Sequence, residues 1–198
     1  MSGTLPKVDL VRQGETAWAA SGRHSGRKDI PLTEAGEREA EALRGLLTGS
    51  SFSKVFTSPL QRARKTCELA GQSAGAEVDP DLMEWDCGAY EGRRTVEIRQ
   101  DRPGWRMFDD GCPDGETPAA IGARADRVIE RLRTIPGNAL LFAHRDVLRV
   151  LTARWLGLPA TEGRLFLLAT ASLSVLGYDH NREEPVIHRW NITARVPD

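Results

Sequence analysis

Three short apolar runs constrain this chain more than anything else in it: VDLV at 8–11, KVFTSP at 54–59 and ALLFAH at 139–144. Each has the length of a strand and lacks the polar alternation of a half-exposed sheet, so each reads as a strand covered on both faces. Between and after them apolar residues recur at helical spacing. Thr33 caps a predicted helix whose Ala40, Leu43, Leu46 and Leu47 share one side, and Thr117 with Pro118 opens another that turns Ile121, Ala125, Val128, Ile129 and Leu132 inward. Ser58, Pro59 and Gln61 read as a capping box starting the helix after the second strand. RDVLRVLTARWLGL is the helix after ALLFAH, and SLSVLGYD and VIHRWN close the chain as a hairpin. Strands alternating with helices predict an α/β fold, a three-layer α/β/α sandwich on a mostly parallel central sheet.

The 198 residues suit a single domain over 1–198, in which the stretch 86–117, rich in glycine, proline and acids, is expected to form a loop-rich lid over the site. A net charge of −1 supplies no basic field for nucleic acid or for an anionic membrane surface. Cys67, Cys87 and Cys112 are odd in number and far apart, with no histidine at ligand spacing, so neither a disulfide framework nor a metal centre is expected. The start of the chain lacks an apolar signal core, which predicts a cytoplasmic protein. No cofactor is called for, and a homodimer is compatible with a fold of this kind.

Residues able to do chemistry gather where such a topology places a site, at the carboxyl ends of parallel strands. Arg12 and Gln13 follow the first strand, Arg62 follows the second, Glu84 follows a short extended segment, VDPDLMEW, and His144 ends the ALLFAH strand. Two guanidiniums converging on helix starts form an anion site, because the forked donors match a phosphate or carboxylate.

LVRQGETAW, SGRHSGRKDIPLTEAG, FTSPLQRARKT, LMEWDCGAYEG and FAHRDVLRV, in that order and at that spacing, resemble the histidine phosphatase superfamily, also called phosphoglycerate-mutase-like, and within it the sugar-phosphate phosphatase branch. The resemblance implies a phosphate pocket in which a histidine of an RHG motif attacks phosphorus. It implies further that Arg12, Arg62, Gly14 and the segment with His24 and Ser25 bind substrate, that Glu84 protonates the leaving group, and that His144 is the second histidine. Gln13 falls on the nucleophile, and a carboxamide, whose nitrogen lone pair is delocalised, cannot carry a phosphoryl group. Arg145 and Asp146 also depart from the pattern, since glycine usually follows the second histidine, and Ala19 stands where Asn or Ser is common. Arg145 is therefore assigned to substrate binding, and Asp146, with Glu84, His144 and Gln13, to catalysis.

Four departures in one pocket predict a repurposed enzyme. It would use acid/base catalysis for isomerisation, dehydration, cyclisation or a related proton transfer on an anionic or carbonyl-bearing small molecule, in specialised biosynthesis. Two alternatives stand beside that reading. One is a weak phosphomonoester phosphatase in which Gln13 only orients, and the other is a pseudoenzyme that binds a phosphorylated metabolite or a protein partner.

Overall fold

A computed structural model describes residues 5–194. In chain order the elements are β1 (Val8–Arg12), α1 (Ala17–Ala20), α2 (Glu34–Leu47), β2 (Lys54–Thr57), α3 (Gln61–Leu69), β3 (Glu77–Val78), α4 (Thr95–Asp101), α5 (Met107–Asp110), α6 (Pro118–Thr134), β4 (Ala139–Ala143), α7 (Arg145–Trp155), β5 (Ser172–Tyr178) and β6 (Pro185–Thr193). The sheet order is β3-β2-β4-β1-β5-β6. The three pairings on the β3 side are parallel and the two that add the β5–β6 hairpin are antiparallel, giving a mixed sheet in an α/β fold.

The apolar runs behave as a two-sided sheet requires. Leu10 and Leu141 face a core built with α6 and α7, while Val11, Leu140 and Phe142 face a second core built with α2 and α3. Every residue of β4, the central strand, is buried. Thr33 and Thr117 cap α2 and α6 through their side chains, which accept from Gly36 N and Ala120 N.

Two expectations need correction. The capping box at Ser58 does not form: α3 starts at Gln61, and the carboxylate of Asp29, far away in sequence, accepts from Gln61 N at 2.8 Å. The stretch 86–117 is less loop-like than its composition suggested. It contains a single 3-10 turn at Gly88–Tyr90 and the helices α4 and α5, and its Tyr90, Trp105 and Phe108 pack with Trp85 in the larger core. Aromatics spaced so widely leave no periodicity to read, yet a few of them bury enough surface to fold the segment.

The sheet's geometry sets the site. Arg12 pairs with Ala143 and Thr57 with Phe142, so β1, β4 and β2 end level with one another. The ladder then runs one residue further, with Gln13 N donating to Ala143 O at 3.0 Å and Ser58 N to Phe142 O at 2.9 Å. Gln13, Ser58 and His144 are thereby fixed side by side.

One buried carboxylate works against the fold. Asp9, in the middle of β1, has its pKa pushed up to about 6 by burial, with Lys7 and Arg189 pulling it back only in part. A carboxyl whose folded pKa lies above its unfolded value of 3.8 contributes stability fully below that value and loses it as pH rises through about 6. Asp9→Asn is therefore expected to raise stability at pH 8 by about 2–3 kcal/mol relative to the parent and to leave it little changed at pH 4, as read from denaturant midpoints at the two pH values.

Candidate active site

At the level strand ends lies a cavity of about 110 Å³ lined by Arg12, Gln13, Arg62, Glu84, Arg145 and Asp146, with His24 and Ser25 arriving from the loop after α1. That is far below the roughly 300–1,000 Å³ of a whole small-molecule site, so it holds a head group. A larger groove of about 690 Å³ beside α3 and β3 shares no lining residue with this cavity.

His144 is the hub beneath the cavity. It is fully buried and does not line the pocket, which corrects its assignment as a direct acid or base. Its Nδ1 accepts from Arg62 Nε at 3.2 Å, and Nε2 lies 2.7 Å from Ser58 Oγ. Burial, reinforced by Arg62, Arg124 and Arg12, pushes the imidazole pKa well below its ordinary value, so the ring is neutral. Arginine can only donate, which makes Nδ1 the acceptor and Nε2–H the donor to Ser58. Gln13 Oε1 stands 3.0 Å from that same Nδ1. Two acceptors cannot share a bond, so the carboxamide takes its isosteric turn, NH2 to the ring and carbonyl oxygen to the cavity, and Nδ1 shares its one lone pair between Arg62 and Gln13.

The two clamping arginines differ. Arg62 spends Nε on His144 and its terminal nitrogens on the carbonyls of Lys28 and Gly26, at 2.7 and 2.9 Å, so it also ties down the loop that follows His24 and Ser25. Arg12 donates to Leu168 O, but its buried Nε has no partner among the described residues. Burial and the neighbouring Arg145 lower the Arg12 pKa to about 10, which leaves it charged at neutral pH. An unmet buried donor costs about 1–3 kcal/mol, and more on a charged group.

Glu84 and Asp146 are a pair of carboxylates with opposed tendencies. Glu84 accepts from the backbone of Trp85 at 2.8 Å and from Asp146 and Val147 at the start of α7, at 3.1 and 3.0 Å. Burial and the nearby charge of Asp146 nevertheless raise its pKa. Burial would raise Asp146 too, but Arg145, Arg149, His24 and Arg12 outweigh it and hold the carboxyl below its ordinary range. Asp146 Oδ1 accepts from Arg149 at 2.8 Å and lies 3.6 Å from Arg145 Nε. Environments that push two carboxyls apart yield one acid and one base.

Arg145 and Asp146 both reach the cavity, as does His24, whose Nε2 lies 3.1 Å from Thr95 Oγ1 and whose pKa burial lowers. Gly14 does not. Its N–H goes to Thr66 Oγ1, and a Cβ there would stand 2.2 Å from Gly36 O, so this glycine lets α2 approach β1 and is corrected from substrate binding to packing.

Sequence reading missed Arg124 and Ser58. Arg124, buried on α6, forks onto Glu116 at 2.9 and 2.7 Å and donates to Asp81 O and Met83 O, fixing the segment that carries Glu84. A charged residue on the inward face of α6, one position before Ala125, was the available signal. Among the described residues one group has metal-ligand spacing, the exposed Asp179, His180 and Glu184 in the β5–β6 turn, at the opposite end of the sheet from the cavity. No described helix is long and apolar enough to cross a membrane.

The model of the histidine phosphatase superfamily (branch 1) matches residues 8–193. An acid phosphatase of Mycobacterium tuberculosis is 39% identical over 176 residues, covering 86% of this chain and 86% of the relative. A sedoheptulose 1,7-bisphosphatase of Saccharomyces cerevisiae is 35% identical over 191 residues, covering 80% and 70%. The solved structure of an open reading frame of Mycobacterium tuberculosis superposes with a TM-score of 0.90 at 34% identity, over 95% of this chain and 98% of that one. These relatives overturn the expectation of a repurposed isomerase or lyase, because chains this similar along most of their length carry the names of phosphatases. The pocket holds an arginine cradle and a buried acid, and on this evidence the chain belongs to the histidine phosphatase superfamily, branch 1.

Proposed function

We propose that this protein hydrolyses phosphomonoesters by direct attack of water. The observation that carries the reading is a cavity of head-group size lined by three guanidiniums, those of Arg12, Arg62 and Arg145, beside the buried acid Glu84. The phosphatase names of the relatives support the same reaction.

Gln13 takes the place that the family motif gives to its attacking histidine, so the step that the imidazole would perform passes to water. The Gln13 carbonyl oxygen, turned to the cavity, accepts a hydrogen bond from that water and holds it facing phosphorus. As the new P–O bond forms and the bond to the ester oxygen breaks, Glu84 gives its proton to the departing alkoxide. Asp146, ionised, takes the proton that water releases, and solvent restores both groups. Arg12 and Arg62 spread the charge on the phosphoryl oxygens, which is most of what an enzyme can contribute to a loose phosphoryl transition state. Neutral His144 adds no competing cation and fixes the orientation of Gln13 and Arg62.

Turnover of 4-nitrophenyl phosphate measures the activity. The parent protein is expected to release phosphate slowly without forming a phosphorylated side chain, and Gln13→His to raise kcat by about tenfold or more and yield a phosphohistidine trappable by acid-free quench. A phosphorylated parent protein would rule out direct attack, and complete silence of both proteins would remove the phosphatase reading.

Glu84 must hold a proton to serve as the acid. Because its pKa is raised, it is loaded below that value and kcat falls as pH climbs through it, while Glu84→Gln abolishes this alkaline limb and lowers kcat by about 10²-fold or more. A kcat profile between pH 4 and 9 on both proteins checks this, and an unchanged alkaline limb in the variant would assign the acid to another group.

A further inference from the structure

The end of the sheet away from the catalytic cavity holds a cavity of its own, of about 530 Å³. It lies where the β5–β6 hairpin meets the last turns of α6 and α7. Because β5 runs antiparallel to β1, its Tyr178 stands at the opposite end of the sheet from Arg12 and Gln13. Arg182, in the hairpin turn, donates to Arg133 O at 3.0 Å and so ties that turn to the end of α6, closing one side. The volume falls within the roughly 300–1,000 Å³ of small-molecule sites.

Tyr178 marks this cavity as a site. The residue is buried, at 4% exposure, and its ring is held against Trp155 with 5.1 Å between centroids, while Trp155 Nε1 is committed to Gly177 O at 3.1 Å. Among the described residues the Tyr178 hydroxyl makes no hydrogen bond, and Arg12 Nε is the one sealed side-chain atom without a partner, so this hydroxyl opens into the cavity that Tyr178 lines. A fixed ring that presents one unsatisfied hydroxyl beside apolar wall is the kind of polar group that orients a ligand. Leu156 and Pro185 supply the apolar wall, and Gly157 leaves room along it, because a Cβ there would meet nothing within 4 Å.

The charge of the occupant follows from what the surrounding arginines have already bonded. Arg154 is spent, with Asp126 at 2.8 and 3.0 Å and Leu158 O at 3.1 Å. Arg133 and Arg182 share the rim with one carboxylate, Glu183, and two guanidiniums less one carboxylate leave a single positive charge, which matches a monoanion. These exposed arginines set the sign, and the buried hydroxyl sets the place. We propose that this cavity is a binding site, separate from the catalytic one, for a flat aromatic carboxylate, whose ring lies along Leu156, Gly157 and Pro185 and whose carboxylate accepts from the Tyr178 hydroxyl beneath Arg133 and Arg182.

Calorimetric titration of the full-length protein with 2-naphthoate, and with 2-naphthamide as its uncharged isostere, tests the site. 2-Naphthoate is expected to bind at least about tenfold more tightly than 2-naphthamide, and Tyr178→Phe, which removes only the hydroxyl, to weaken it by about tenfold or more. Arg133→Gln is expected to weaken it as well, whereas Arg12→Gln, at the other end of the sheet, leaves its Kd unchanged. No binding of 2-naphthoate up to about 2 mM, equal Kd values for the two compounds, or an affinity that survives Tyr178→Phe would overturn the proposal. Loss of affinity in Arg12→Gln would overturn it too, since it would place 2-naphthoate in the catalytic cavity. If Tyr178→Phe does not fold, Arg133→Gln on the exposed rim decides: a weakened Kd supports the site, and an unchanged one sinks it.

Discussion

The pocket depends on one buried imidazole being kept neutral. His144 lies among Arg62, Arg124 and Arg12 with no solvent contact, and a second positive charge there would have neither water nor a carboxylate to offset it. Neutrality fixes the tautomer, the tautomer fixes what Gln13 and Arg62 can offer it, and those two side chains form the floor and one wall of the cavity. The backbone ladder that continues past β1 and β2 to Gln13 and Ser58 makes this arrangement rigid before any ligand arrives.

Around that hub the acids are sorted by what surrounds them rather than by what they are. Glu84 receives three backbone N–H groups, which ordinarily favour the charged form, and is still driven toward the protonated form because burial and Asp146 act against it. Asp146 is as deeply placed and stays ionised because the guanidiniums of Arg145, Arg149 and Arg12 face it. Arg124 takes no part in the pocket, yet through Glu116 and the carbonyls of Asp81 and Met83 it holds Glu84 in reach of α7. A buried pair of this kind adds little net stability, and its contribution here is position.

How far the sequence could be read depends on the range of each interaction. Strands β1, β2 and β4, the caps at Thr33 and Thr117, and the hairpin of β5 and β6 were legible because hydrophobic period and side-chain capping act within a few residues. The start of α3 was not, since its cap is Asp29, 32 residues away, while Ser58 turns to His144. Gly14 read as a ligand contact from its motif, and only the 2.2 Å approach of Gly36 O reveals it as a packing residue. The functional expectation failed for a related reason: Gln13 was visible in one line of sequence, but the arginine cradle around it was spread over several segments.

The sequence by itself determined the α/β class, the strand ends at which Arg12, Gln13, Arg62 and His144 appear, and the family, because all of these follow from local patterns and their order along the chain. The tertiary structure alone decided which of those residues touch the cavity and which carboxyl keeps its proton. Each of those outcomes is set by distances of a few ångström between segments remote in sequence, and electrostatic and desolvation energies change steeply over such distances.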